Sequence, residues 1–180
     1  NNKIKEIPDF TFVNYSQLLY LKIIHNDIEF LNRASFEGLN RLIELDLASN
    51  KLKRVNKHSF ISMKSLQRLD LKYNYIENIE SEGFLGLENL KNLVLGRNRL
   101  NSISNYSLIG MPNLEKIDLS LNLIDEIQEK NFVFNTKLIE IKLERNPLKI
   151  IKKNSFYGLT SFKVFQTIMN LNLEILDECA

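Results

Sequence analysis

The 180-residue sequence has one cysteine, no tryptophan, two histidines, three prolines and six glycines. Each scarcity removes a class of function. Cys179 stands alone, with no CxxC or Cys/His cluster, so zinc-site spacing is absent and no metal is expected. His25 and His58 fall at unrelated places in the pattern described below, and nucleophilic catalysis needs a base beside its nucleophile. Gly38, Gly83, Gly86, Gly96, Gly110 and Gly158 are isolated or in Gly83-Phe84-Leu85-Gly86, which is no phosphate-cradling loop. No catalytic residue and no cofactor is therefore expected, and an enzyme is rejected. Lys+Arg 24 against Asp+Glu 22 leaves +2, without the one-sided field that nucleic acid or an anionic membrane demands. No apolar run approaches the roughly 18 residues of a bilayer-spanning helix, and Asn1-Asn2-Lys3-Ile4-Lys5 lacks a signal-peptide core. The segment is expected to be soluble, with no direct membrane insertion.

What the chain has in excess is Leu, Ile and Asn, at 30, 20 and 23 residues. Such bias calls for a repeat search. Asn recurs at 2, 26, 50, 74, 98, 122, 146 and 170, always 24 residues apart. Aligned on these, the block from Leu42 reads Leu42, Leu45, Leu47, Asn50, Leu52, Val55, Phe60, Met63, and its neighbours repeat the spacing. The frame is L-x-x-L-x-L-x-x-N-x-L-x-x-L with Phe five residues later. That place holds Phe12, Phe36, Phe60, Phe84, Leu108, Phe132 and Phe156.

This pattern resembles the leucine-rich repeat family, in particular its typical 24-residue extracellular subclass, similar to Toll and Toll-like receptor ectodomains. The resemblance covers essentially the whole chain. It implies an α/β solenoid, a horseshoe with one short parallel strand per repeat on its concave face. The convex side would be mostly irregular, short 3-10 or helical. A single domain over 1–180 is expected: a partial repeat 1–17, repeats 18–41, 42–65, 66–89, 90–113, 114–137 and 138–161, and a partial or divergent repeat 162–180, without caps.

The residues explain why such coils must stack. Leu45-Asp46-Leu47 and Leu69-Asp70-Leu71 alternate apolar with polar at the period of a strand. One coil alone has nothing to bury its inner face against, so neighbours share a continuous core. The Asn amide both donates and accepts, and a stacked column of Asn satisfies backbone groups where the chain leaves the strand. Leu, Ile, Asn and Phe of the frame are thus structural.

Recognition is left to the positions between them. In leucine-rich repeat proteins these line the concave face, where the resemblance implies that ligands dock. The third, fifth, seventh and eighth positions give Tyr20, Lys22, Ile24 and His25, then Glu44, Asp46, Ala48 and Ser49, then Arg68, Asp70, Lys72 and Tyr73. They continue through Asn92, Val94, Gly96 and Arg97, Lys116, Asp118, Ser120 and Leu121, and Glu140, Lys142, Glu144 and Arg145, to Val164, Gln166, Ile168 and Met169. At ~4.8 Å per row the strip spans roughly 30 Å. It mixes aromatics, apolar groups and both charges, as protein-contact surfaces do. Tyr20, Ile24, Tyr73, Leu121, Ile168 and Met169 are expected to face solvent. Inter-repeat salt bridges are the plainer role for the charges, and a solvated histidine is the plainer role for His25 beside Asp46.

The first residue falls at the eighth position of a frame, no Cys-bearing N-terminal cap is present, and neither end shows a polar closing face. The sequence is therefore expected to be a segment of a longer ectodomain. Asp177-Glu178-Cys179-Ala180 as the start of a cap is the alternative. After Asn170 the pattern fits with one inserted residue, which makes Leu173 and Leu176 framework positions. Sequons at Asn14-Tyr15-Ser16 and Asn105-Tyr106-Ser107 lie off the strand, a placement that agrees with secretion and glycosylation. The expected function is non-catalytic recognition of a protein or peptide ligand, or another receptor chain, by an extracellular receptor ectodomain of the innate-immune or developmental signalling kind. An adhesion or matrix protein, or an intracellular scaffold, are the alternatives.

Overall fold

The computed structural model describes residues 2–167 and the strand backbone at 174–175. In chain order its elements begin with β1 (Tyr20–Lys22), β2 (Glu44–Asp46), β3 (Arg54–Val55), β4 (Arg68–Asp70), β5 (Asn78–Ile79) and β6 (Asn92–Val94). A 3-10 helix (Asn105–Leu108) follows, then β7 (Lys116–Asp118), β8 (Glu126–Ile127), β9 (Glu140–Lys142), β10 (Ile150–Ile151), β11 (Val164–Gln166) and β12 (Glu174–Ile175). The three-residue strands form one parallel sheet, β1-β2-β4-β6-β7-β9-β11, so each coil contributes one strand. Its register never slips: Leu21, Leu45, Leu69, Leu93, Ile117, Ile141 and Phe165 lie opposite one another in succession. A shift by one residue would turn every buried Leu to solvent, which pins the register.

The solenoid expected from the repeat is present. Its outer side takes the irregular option, with turns and the single 3-10 helix and no α-helix among the described residues. It also forms two short parallel ladders that the frame does not advertise, β3-β5 and β8-β10-β12. In the repeat between them Ser104 Oγ accepts from Tyr106 N at 3.1 Å, caps the 3-10 helix and takes the chain away from the ladder. The register Ile150↔Glu174 and Ile151↔Ile175 keeps the 24-residue offset. The inserted residue expected after Asn170 is thus not used. Asn170 itself and the placements expected for Ile168, Met169, Leu173, Leu176 and Cys179 lie outside the described residues.

Two polar columns stitch the coils. Asn98 is 7% exposed; its Oδ1 accepts from Ile76 N of the preceding coil, and its Nδ2 donates to Leu71 O and Leu95 O, all within 3.0 Å. Asn74, Asn122 and Asn146 repeat the arrangement. At the eighteenth position Ser35, Ser107 and Ser155 donate from Oγ to Ile7 O, Ile79 O and Ile127 O, and Asn131 donates from Nδ2 to Ile103 O. Between them run the leucines and a phenylalanine column. Phe36 stacks on Phe60 and Phe60 on Phe84 with centroids 6.0 and 5.9 Å apart, and the column resumes at Phe132–Phe156 beyond Leu108. No helix of the described residues is long and apolar enough to cross a membrane.

Candidate functional site

The sheet displays two columns of outward side chains. The third-position column runs Tyr20, Glu44, Arg68, Asn92, Lys116, Glu140, Val164, and the fifth runs Lys22, Asp46, Asp70, Val94, Asp118, Lys142, Gln166. Charges meet across and along strands: Lys22–Glu44 at 3.6 Å, Arg68–Asp70 at 2.9 Å, Lys116–Glu140 at 3.2 Å and Lys142–Glu140 at 3.3 Å. Burial pushes the Glu140 carboxyl up, but hydrogen bonds from Lys116 and Lys142 outweigh it and hold the group below its ordinary value. Asp70 goes the other way. Its burial dominates, Asp46 directly opposite adds repulsion, and the Lys72 amide, Arg68 and Lys72 offset only part, so the group sits above its ordinary value.

The fifth-position aspartates have a further task that spacing did not disclose. Oδ1 of Asp46, Asp70 and Asp118 accepts from Ala48 N, Lys72 N and Ser120 N at 3.0, 3.0 and 2.9 Å. Each closes the turn by which its strand ends, as short carboxylates do. The residue after that turn is left-handed in six successive coils: His25, Ser49, Tyr73, Arg97, Leu121 and Arg145 have φ between 54° and 58°. The strain is held by the stack, since His25 N, Ser49 N, Tyr73 N, Arg97 N and Leu121 N donate to Ala48 O, Lys72 O, Gly96 O, Ser120 O and Glu144 O of the next coil.

This backbone reversal divides the strip read from the sequence. Arg68, Asn92, Val94, Lys116, Asp118, Glu140 and Lys142 surround a depression of about 260 Å³ on the strand face. A second, open depression of about 420 Å³ lies at the flank where the strands exit; Ser49, Lys51, Tyr73, Tyr75 and Arg97 line it over Asn26, Asn50 and Asn74. Tyr73 and Arg97 thus belong to the flank. Lys51, Tyr75 and Arg99, at the tenth position, were missed because the frame gives that place no alternation with a strand leucine. Tyr20 and Ile24 are exposed on the first coil, Tyr73 lies two coils on, and Leu121 is half-buried rather than solvent-facing. Glu144 is half-buried with an Oε2 that meets no donor among the described residues. Arg145 is exposed.

The histidines stay apart. His25 is exposed at the flank and makes no ion pair with Asp46 among the described residues, whereas His58 Nε2 lies 3.1 Å from Glu82 Oε2 on the outer side. Among the described residues no three His, Cys, Asp or Glu side chains converge as metal ligands would. Both sequons are off the sheet. Asn14 is exposed, and Asn105 opens the 3-10 helix half-buried, with Ser107 bonded to Ile79 O.

Comparison with known proteins agrees with this geometry. The family model described as Leucine rich repeat matches residues 1–52, 25–76, 41–100, 64–124 and 112–165. No curated protein sequence matches the chain significantly. Among solved structures, the TLR13–ssRNA13 complex superposes over 94% of this chain at TM-score 0.87 and 31% identity. The Toll–Spatzle complex of Drosophila matches 92% at TM-score 0.82 and 21% identity, and the mouse RP105/MD-1 complex 94% at 0.80 and 22%. The chain spans 24%, 23% and 29% of the length of those three chains.

Proposed function

From a chain that belongs to the leucine-rich repeat family, with coils built like those of Toll-like receptor ectodomains, we propose recognition of a protein or peptide ligand by the strand face, outside the cell and without catalysis. The observation that carries it is the register. Identical buried positions hold a variable strip of side chains in fixed rows, and around the 260 Å³ depression Arg68, Asn92, Val94, Lys116, Glu140 and Lys142 present an apolar spot ringed by both charges. A surface that is preformed loses little conformational freedom on binding, and mixed polarity with an apolar centre suits a folded protein partner. The TLR13 structure holds single-stranded RNA, but here Glu44, Asp46, Asp70, Asp118, Glu140 and Glu144 interrupt the cations of the strip and would repel a phosphate backbone. Both sequons, at Asn14 and Asn105, lie off that face, so glycans there would leave it uncovered.

The test is expression of the chain through a secretory route. Endoglycosidase treatment is expected to shift its mobility, less so for Asn14→Gln or Asn105→Gln. Proteins captured from extracellular fluid by the wild-type chain should be lost on Val94→Arg or Lys116→Glu and kept on Lys64→Glu, which lies off the sheet. Equal capture by all three variants would rule out the strand face.

A further inference from the structure

The exit flank carries a second surface whose chemistry differs from that of the strand face. Tyr73 and Tyr75 are 48% and 43% exposed on either side of buried Asn74. Cations lie against both rings: Lys72 Nζ is 5.3 Å and Arg97 Cζ 5.0 Å from the Tyr73 centroid, and Arg99 Cζ is 4.7 Å from that of Tyr75. A guanidinium or ammonium over a tyrosine face is held in place while its N–H groups stay available at the edge. Arg97 and Lys72 make no ion pair among the described residues; Asp70, which Lys72 influences electrostatically, pairs with Arg68 instead. Arg99 meets Glu77 only at 3.7 Å.

The depression bordered by Tyr73, Tyr75, Arg97 and Lys51 has a satisfied floor. Asn50 and Asn74 direct their amides to backbone carbonyls and accept from backbone amides, so they offer a ligand little. Recognition falls to the walls, Tyr73, Tyr75, Lys51 and Arg97. Tyrosine and arginine are the residues that dominate binding energy at protein interfaces, and an oriented guanidinium takes a carboxylate through two hydrogen bonds.

We infer that this flank is a second recognition surface and that it binds an acidic segment of a protein partner, whose carboxylates engage Arg97, Arg99 and Lys72 while its aliphatic atoms pack against the exposed edges of Tyr73 and Tyr75. A nucleic-acid strand fits less well, because cations already lie against the Tyr73 and Tyr75 faces on which bases would stack. The surface is independent of the strand face, because its charged and aromatic walls share none of the side chains around the 260 Å³ depression.

The experiment is titration of the chain with a short fluorescein-labelled polyglutamate peptide, its polyglutamine counterpart and a labelled single-stranded RNA of equal length, read by fluorescence anisotropy at low and physiological salt. Polyglutamate is expected to bind, polyglutamine not, with affinity falling as salt rises. Arg97→Glu with Arg99→Glu should weaken binding more than tenfold. Lys116→Glu with Lys142→Glu, on the strand face, should change it less than twofold. Tyr73→Asn, which suits the left-handed backbone, should weaken it several-fold, and circular dichroism of each variant checks the fold. Binding that survives the arginine reversal in a folded chain, that is equal for polyglutamine, or that is tighter for RNA and lost with the same reversal would overturn the inference.

Discussion

Asn98 shows how one side chain joins two coils. It satisfies an amide of the preceding coil and carbonyls of both, all removed from water. Asn98→Leu keeps the branched shape but strands the buried Ile76 N, while Leu71 O and Leu95 O lose one donor each and keep Asn74 and Asn122, so the expected loss is about 1–3 kcal/mol. Urea unfolding measures it. Replacement of exposed Asn101 by Leu should change stability by less than about 0.5 kcal/mol, and equal losses would contradict the stitching role. Glycines make a second comparison. Both Gly86 and Gly158 are left-handed, but a Cβ on Gly86 would stand 2.5 Å from Ile61 O, whereas on Gly158 the nearest atom is 3.9 Å away. Gly158→Ala carries only the left-handed strain of about 1–2 kcal/mol. Gly86→Ala must also push two coils apart and should reduce the unfolding midpoint markedly more.

At the scale of the strand, burial of a carboxylate, reinforced by a like charge opposite it, sets a pH dependence. Asp70 is raised above its ordinary value, so the folded chain binds a proton there more readily than the unfolded chain. Stability from this group therefore falls as pH rises through the window between the ordinary and the raised value, and is flat above it. Asp70→Asn removes the titration. The stability of the wild type relative to this variant is expected to be highest at acid pH and to decline across the window, which urea midpoints at a series of pH values would record. A difference that grows with pH would show the opposite shift. Glu140 should behave inversely, since its lysines hold it low and its contribution is lost on acidification.

Over the whole molecule stability is a sum of coils and of the interfaces between them, so the weakest interface governs where the stack opens. Repeat 90–113 has Leu108 in the phenylalanine column and a 3-10 helix where its neighbours keep an outer ladder. Amide exchange is expected to be fastest there, at residues 101–108, compared with the matching stretches 77–84 and 125–132. Uniform protection across the three would mean that the interruption is fully compensated by packing. The same stretch contains Asn105, and a glycan on that residue would sit on the least cooperative coil.

How much of this was legible beforehand depends on which atoms carry it. Leucine spacing, the Asn column and the Phe column are properties of single positions repeated every 24 residues, and burial needs only that they coincide in phase. The sequence by itself therefore determined the stack, its register and the rows that could face a partner. It also held, unread, a small polar residue at the eighteenth position in Ser35, Ser59, Ser107 and Ser155. Only the tertiary structure decided that Asp46, Asp70 and Asp118 bond their own turns, that Tyr73 and Arg97 leave the strand face for the flank, and that Tyr75 and Arg99 join them. Those outcomes depend on backbone dihedrals after each strand and on side chains one coil away. A repeat unit read in isolation contains neither, because the left-handed turn is held by a carbonyl of the next coil.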